Sequence, residues 1–108
     1  MAYMIFTRDR AGGAEIRDAH RAQHYAYLRE NAHRLIASGG VQDEKGNYAG
    51  GLIVLDVDTH AEAEAFAAAD PFGRAELFDQ VIIMRWVQAF LGGREDRGPF
   101  RAADQQTG

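Results

Sequence analysis

The stretch GAEIRDAHRAQHYAYLRENAHRLIAS, residues 13–38, is the longest segment of the chain with helical spacing. Ile16, His20, His24, Tyr27, Leu28, Asn31 and Leu35 recur three and four positions apart and share one broad face; Asp18, Arg29, Glu30 and His33 fall on the other. The spacing predicts a single helix of about 24 residues, roughly 36 Å long. It opens near Gly13 with Glu15 in the first turn and stops at Ser38-Gly39-Gly40. His24 is the odd member of the stripe, because it puts an ionisable ring where the neighbours face a core.

The flanks decide how that helix is used. Tyr3 to Arg8 is rich in aromatic and β-branched residues and predicts a first strand, ended by Asp9 to Gly13. Val41 to Glu44 predicts a short strand that turns at Lys45-Gly46-Asn47, and Tyr48 to Val57 a longer one centred on Leu52-Ile53-Val54-Leu55. Thr59 with Glu62 three residues later forms a capping-box pattern before a short, alanine-rich helix, His60 to Ala69. Pro71 interrupts it, Phe72 to Phe78 is expected as a short helical turn, and Val81 to Phe90 as the last strand. Residues 1–90 thus form one domain, and Leu91 to Gly108 a polar tail expected to be partly disordered.

The order β-α-β-β-α-β is that of an α+β, ferredoxin-like fold, with both helices on one face of a four-stranded antiparallel sheet. Leu52-Ile53-Val54-Leu55 and Val81-Ile82-Ile83-Met84 are apolar on both faces, and two helices cover only one of them. A second copy of the sheet is the simplest cover, so a homodimer of the dimeric α+β barrel kind is expected.

The totals narrow the chemistry. A chain of 108 residues is one domain and buries a core without staples. Its net charge of −4 and pI near 5.5 argue against a nucleic-acid partner. No apolar run is long enough to span a bilayer, and Met1-Ala2-Tyr3-Met4 lacks an export signal, so a cytoplasmic location without a membrane partner is expected. Cysteine is absent, which excludes thiol nucleophiles and thiolate metal sites. Ser38, the only serine, has no nucleophile-elbow neighbours. Lys45, the only lysine, lies among acidic residues in a loop. No glycine-rich phosphate loop follows a strand. Histidine, carboxylate, arginine and tyrosine remain.

Arg21-x-x-His24-x-x-x-Leu28, Ser38-Gly39, Gly50-Gly51 before an apolar strand, Ala68-Ala69-Asp70-Pro71-Phe72 and a strand ending near Trp86 occur in an order that resembles the YCII-related family over roughly residues 2–90. The resemblance implies a ferredoxin-like α+β dimer, related in architecture to muconolactone isomerases, with a histidine–aspartate pair as active centre. By position the pair is His24 and Asp70. The family includes dehydrochlorinases of chlorinated hydroxyquinols. The chain departs from it twice: Gly40 stands where many members have proline, and Glu76 where many have glycine.

An aspartate before Pro71 is also an ordinary helix N-cap, and both roles are compatible at Asp70. A carboxylate beside His24 would set its tautomer and raise its basicity. Arg21, one turn earlier, is the first candidate for binding an anionic or phenolate substrate, with a surface ion pair to Asp18 as the alternative; Arg8 and Ser38 complete the candidate substrate-binding set. Tyr27 is read as packing. His20 and His24 form an H-x-x-x-H pair, but Arg21 follows the first histidine and repels a cation, so no metal is assigned. A cofactor-free lyase or isomerase acting on a small aromatic or lactone is expected. A non-catalytic small-molecule-binding module is the alternative, and a haem-degrading or monooxygenase role rests on fold analogy alone.

Overall fold

In the computed structural model, which describes residues 1–97, β1 (Ala2–Asp9) is one of the two inner strands of the main sheet. The chain continues through α1 (Ala14–Glu30), a 3₁₀ turn (Ala32–Arg34), β2 (Leu35–Gln42), β3 (Tyr48–Asp56), α2 (His60–Ala69), α3 (Pro71–Arg74) and β4 (Phe78–Trp86). A small hairpin, β5 (Phe90–Leu91) and β6 (Arg94–Glu95), follows. The main sheet is antiparallel with strand order β2-β3-β1-β4, the ferredoxin-like arrangement.

The first helix is shorter than the periodicity predicts. Asn31 ends it: its Nδ2 donates to the Tyr27 carbonyl at 2.8 Å, and its Oδ1 accepts from Arg34 Nε at 3.1 Å. A side chain that competes for the last carbonyls favours a stop. Leu35 to Ser38 then leave the helix and pair with Leu55 to Ile53, so the strand expected at Val41 begins at Leu35. Ladder hydrogen bonds and a sheet face to pack on outweigh the helical spacing of this segment. The last strand is likewise displaced: β4 starts at Phe78, and Phe90 belongs to the separate hairpin with Leu91. The expected helical turn is the single turn α3. Residues 91–95 of the expected tail are ordered in that hairpin; its end, residues 98–108, lies outside the described residues.

Strand alternation sorts the side chains. Tyr3 and Ile5 of β1, Ile53 and Leu55 of β3 and the following Val57 pack with Leu28 of α1 and Ala63 and Phe66 of α2. Each fully buried aliphatic or aromatic side chain in this layer contributes about 1.5–3 kcal/mol. Residues one step along point the other way: the register aligns Met4 with Val54 and Met84, and Phe6 with Leu52 and Ile82. This second face is therefore apolar and carries no helix among the described residues.

Candidate active site

The cavity lies between α1 and the sheet and measures about 100 Å³. Arg17, Arg21, His24 and Leu28 line it from α1, in steps of four, three and four residues that keep them on one side of the helix. Ile5, Thr7 and Ile53 form the sheet wall, Ser38 and Tyr48 the edge, and Asp70 and Phe72 the end.

The capping interactions that build α3 also mount the carboxylate. Asp70 stands just before Pro71, and its Oδ1 accepts the Phe72 backbone N–H at 2.9 Å. The same oxygen accepts from His24 Nδ1 at 2.8 Å, 46 residues away in sequence. The Asp70 side chain is 3 % exposed and that of His24 15 % exposed. Because a carboxylate only accepts, Nδ1 carries a hydrogen, and in the neutral tautomer with that hydrogen Nε2 has the free lone pair. Phe72 stacks on the imidazole at 4.1 Å between ring centroids and restricts its rotation. The arrangement holds the imidazole in one orientation beside a ring-lined space.

The other sequence candidates separate. Arg21 lines the cavity, with Nη2 2.8 Å from Asp18 and its guanidinium 5.8 Å from the Tyr48 ring. Ser38 lines it too, since the pairing of Ser38 with Ile53 turns its side chain to the helix side. Arg8 does not line it. Strand alternation gives the inward place to Thr7, and Arg8 Nε bonds Asp79 Oδ1 at 2.8 Å on the exposed surface. That hydrogen bond, and then the charge of Asp79, raises the already high guanidinium pKa. His20 is also turned away, with Nδ1 3.0 Å from the Ile16 carbonyl. Among the described residues no three histidines, cysteines or carboxylates come close enough to hold a metal. The Tyr27 hydroxyl donates to the Phe66 carbonyl at 2.8 Å; burial, and after it the charge of Asp70, raises its pKa above the ordinary 10.0.

Arg17 has no place in the sequence reading, yet it is buried in the wall of the cavity. Its Nε donates to Asp9 Oδ2 at 2.8 Å, and its Nη2 to Asp9 Oδ1 at 3.0 Å and to the Gly50 carbonyl at 3.2 Å. The guanidinium lies 4.9 Å from the Tyr48 ring centroid and 4.8 Å from that of Phe72. Its position seven residues before His24 was a readable signal; the contact with Tyr48 was not, since it depends on how β3 is registered. Gly40 makes room for Tyr48. A Cβ there would meet Tyr48 Cε1 at 2.6 Å, so the tyrosine ring occupies the space a larger residue would need.

The YCII-related domain model matches residues 1–87, and the chain belongs to that family. Among solved structures it is similar to 5-chloro-2-hydroxyhydroquinone dehydrochlorinase (TftG) from Burkholderia phenoliruptrix AC1100, in complex with 2,5-dihydroxybenzoquinone. The TM-score is 0.74 at 26 % identity, over 80 % of this chain and 93 % of that one. It also matches Rv0793 from Mycobacterium tuberculosis, with a TM-score of 0.44 at 11 % identity over 81 % and 94 % of the two chains. No curated protein matches the sequence.

Proposed function

We propose that the protein is a small lyase that removes hydrogen chloride from a chlorinated hydroxyquinol, with His24 as the acid–base group and Asp70 as its orienting partner. The observation that carries this is the 2.8 Å His24–Asp70 bond at the end of a ring-lined cavity. Likeness to a dehydrochlorinase supports it.

In this scheme Nε2 takes a proton from a ring hydroxyl, and the oxygen's electrons move into the ring. His24 returns the proton to the chlorine-bearing carbon, giving a keto form. Deprotonation of a second hydroxyl then forms the second carbonyl as the carbon–chlorine bond breaks. The products are a hydroxyquinone, chloride and one proton, and no metal or external oxidant enters the balance. Asp70 stabilises the imidazolium formed in each transfer. Arg21 and Ser38 bind substrate oxygens at the cavity edge.

The test is chloride release from a chlorinated hydroxyquinol by wild type and His24→Gln. Turnover by wild type with loss of at least about a hundredfold in the variant supports the proposal. Equal turnover by both removes His24 from the chemistry. If neither turns over, the same pair would be assayed with a muconolactone; silence there favours a binding module. We also propose that the helix-free sheet face pairs with a second copy of the chain. Among the described residues no helix is long and apolar enough to cross a membrane.

A further inference from the structure

We infer that Arg17 is the anion-binding group of the cavity, receiving a negatively charged ring oxygen of the phenolate or enolate class while His24 handles the proton. This deepens the aromatic-substrate proposal and rests on it. Arg17 is 7 % exposed and its hydrogen bonds use Nε and Nη2 only. Nη1 has no hydrogen bond among the described residues, yet none of their buried side-chain nitrogens or oxygens lacks a partner. Nη1 is therefore not sealed in, and the space that Arg17 borders is the cavity. Its two N–H groups are donors that the described residues leave unused.

Three features fit those donors to a charged oxygen. Asp9 and the Gly50 carbonyl hold the fork, so it needs no reorganisation when charge develops on a ligand. Tyr48 and Phe72 hold the guanidinium group. The Phe72 ring is 4.8 Å from the Arg17 Cζ and 4.1 Å from the His24 ring centroid, so cation and base lie within about 9 Å of each other. One aromatic ring with oxygens on different carbons spans such a gap. Arg21 is less suited, because its side chain is 39 % exposed and its charge is screened by solvent.

The test compares 4-nitrocatechol, anionic at mildly alkaline pH, with catechol, neutral under the same conditions, by calorimetric titration of the full chain. Arg17→Lys keeps the charge beside Asp9 and loses the fork. Its affinity for the nitrocatecholate is expected to fall about tenfold or more, with catechol affinity within about twofold of wild type. Equal losses for both ligands, no loss for either, or no saturable nitrocatecholate binding by wild type overturns the assignment. Asp9→Asn guards against a folding defect in the first variant. It keeps an acceptor for Arg17 but removes the competing charge, so nitrocatecholate is expected to bind at least as tightly as in wild type; weaker binding by the folded variant overturns the assignment. Anion binding without chloride release by wild type leaves Arg17 assigned and removes the dehydrochlorinase proposal instead.

Discussion

Asp70 Oδ1 accepts both the Phe72 backbone N–H and His24 Nδ1. Asp70→Asn keeps an acceptor for the cap, but its amide is able to donate toward His24 and favour the tautomer with Nε2 protonated. Activity is expected to fall about 10²–10⁴-fold, with a stability change below about 1 kcal/mol. Single-turnover kinetics beside a thermal melt separates the two; parallel loss of fold and activity would leave Asp70 as a cap alone. Tyr27 sets a second expectation. Its folded-state pKa is raised, so its protonated phenol adds stability that is full below the unfolded value and lost as pH rises through about 10 toward the folded value. Tyr27→Phe is expected to be about 1 kcal/mol less stable near neutrality, having lost the bond to Phe66. Its urea midpoint should decline less than that of wild type between about pH 9 and 11; parallel slopes would rule this out.

The elements show where local rules suffice. Thr59 accepts the Glu62 N–H at 3.1 Å and its hydroxyl donates to the Glu62 carboxylate at 3.0 Å, so α2 begins where the capping box predicts. Helix α3 ends in a Schellman arrangement: Leu77 N–H reaches the Phe72 carbonyl and Glu76 N–H the Gly73 carbonyl, both at 3.1 Å. Glu76 takes the left-handed position, with φ 59°, where glycine is usual. A glycine at this position would meet that backbone geometry without strain. Glu76→Gly is expected to raise stability by about 0.5–1 kcal/mol in denaturant titration. A fall would show that the Glu76 side chain contributes more than its backbone costs. At α1, by contrast, helical spacing continued past Asn31 while the chain turned into β2. Nothing local in Leu35-Ile36-Ala37 distinguishes the two outcomes, because the deciding partner is β3.

Across the whole molecule, one apolar sheet face carries no helix among the described residues. Met84, 59 % exposed, stands on it beside Met4. Sedimentation velocity is expected to show a wild-type dimer and a folded Met84→Lys monomer, since an unpaired charge in an apolar interface costs several kcal/mol. A monomeric wild type would sink the dimer proposal. The sequence by itself determined the element order, the cap of α2, the position of Asp70 before Pro71 and the two-sided apolar strands. Those follow from residues within a few positions of one another, where propensity and spacing act directly. Only the tertiary structure decided that Leu35 to Ser38 join the sheet as part of β2, that Arg8 faces out while Thr7 faces in, and that Arg17 joins the cavity through Asp9, Gly50 and Tyr48. Each of these depends on strand register, which is set by pairing between distant segments and turns over with a shift of a single residue.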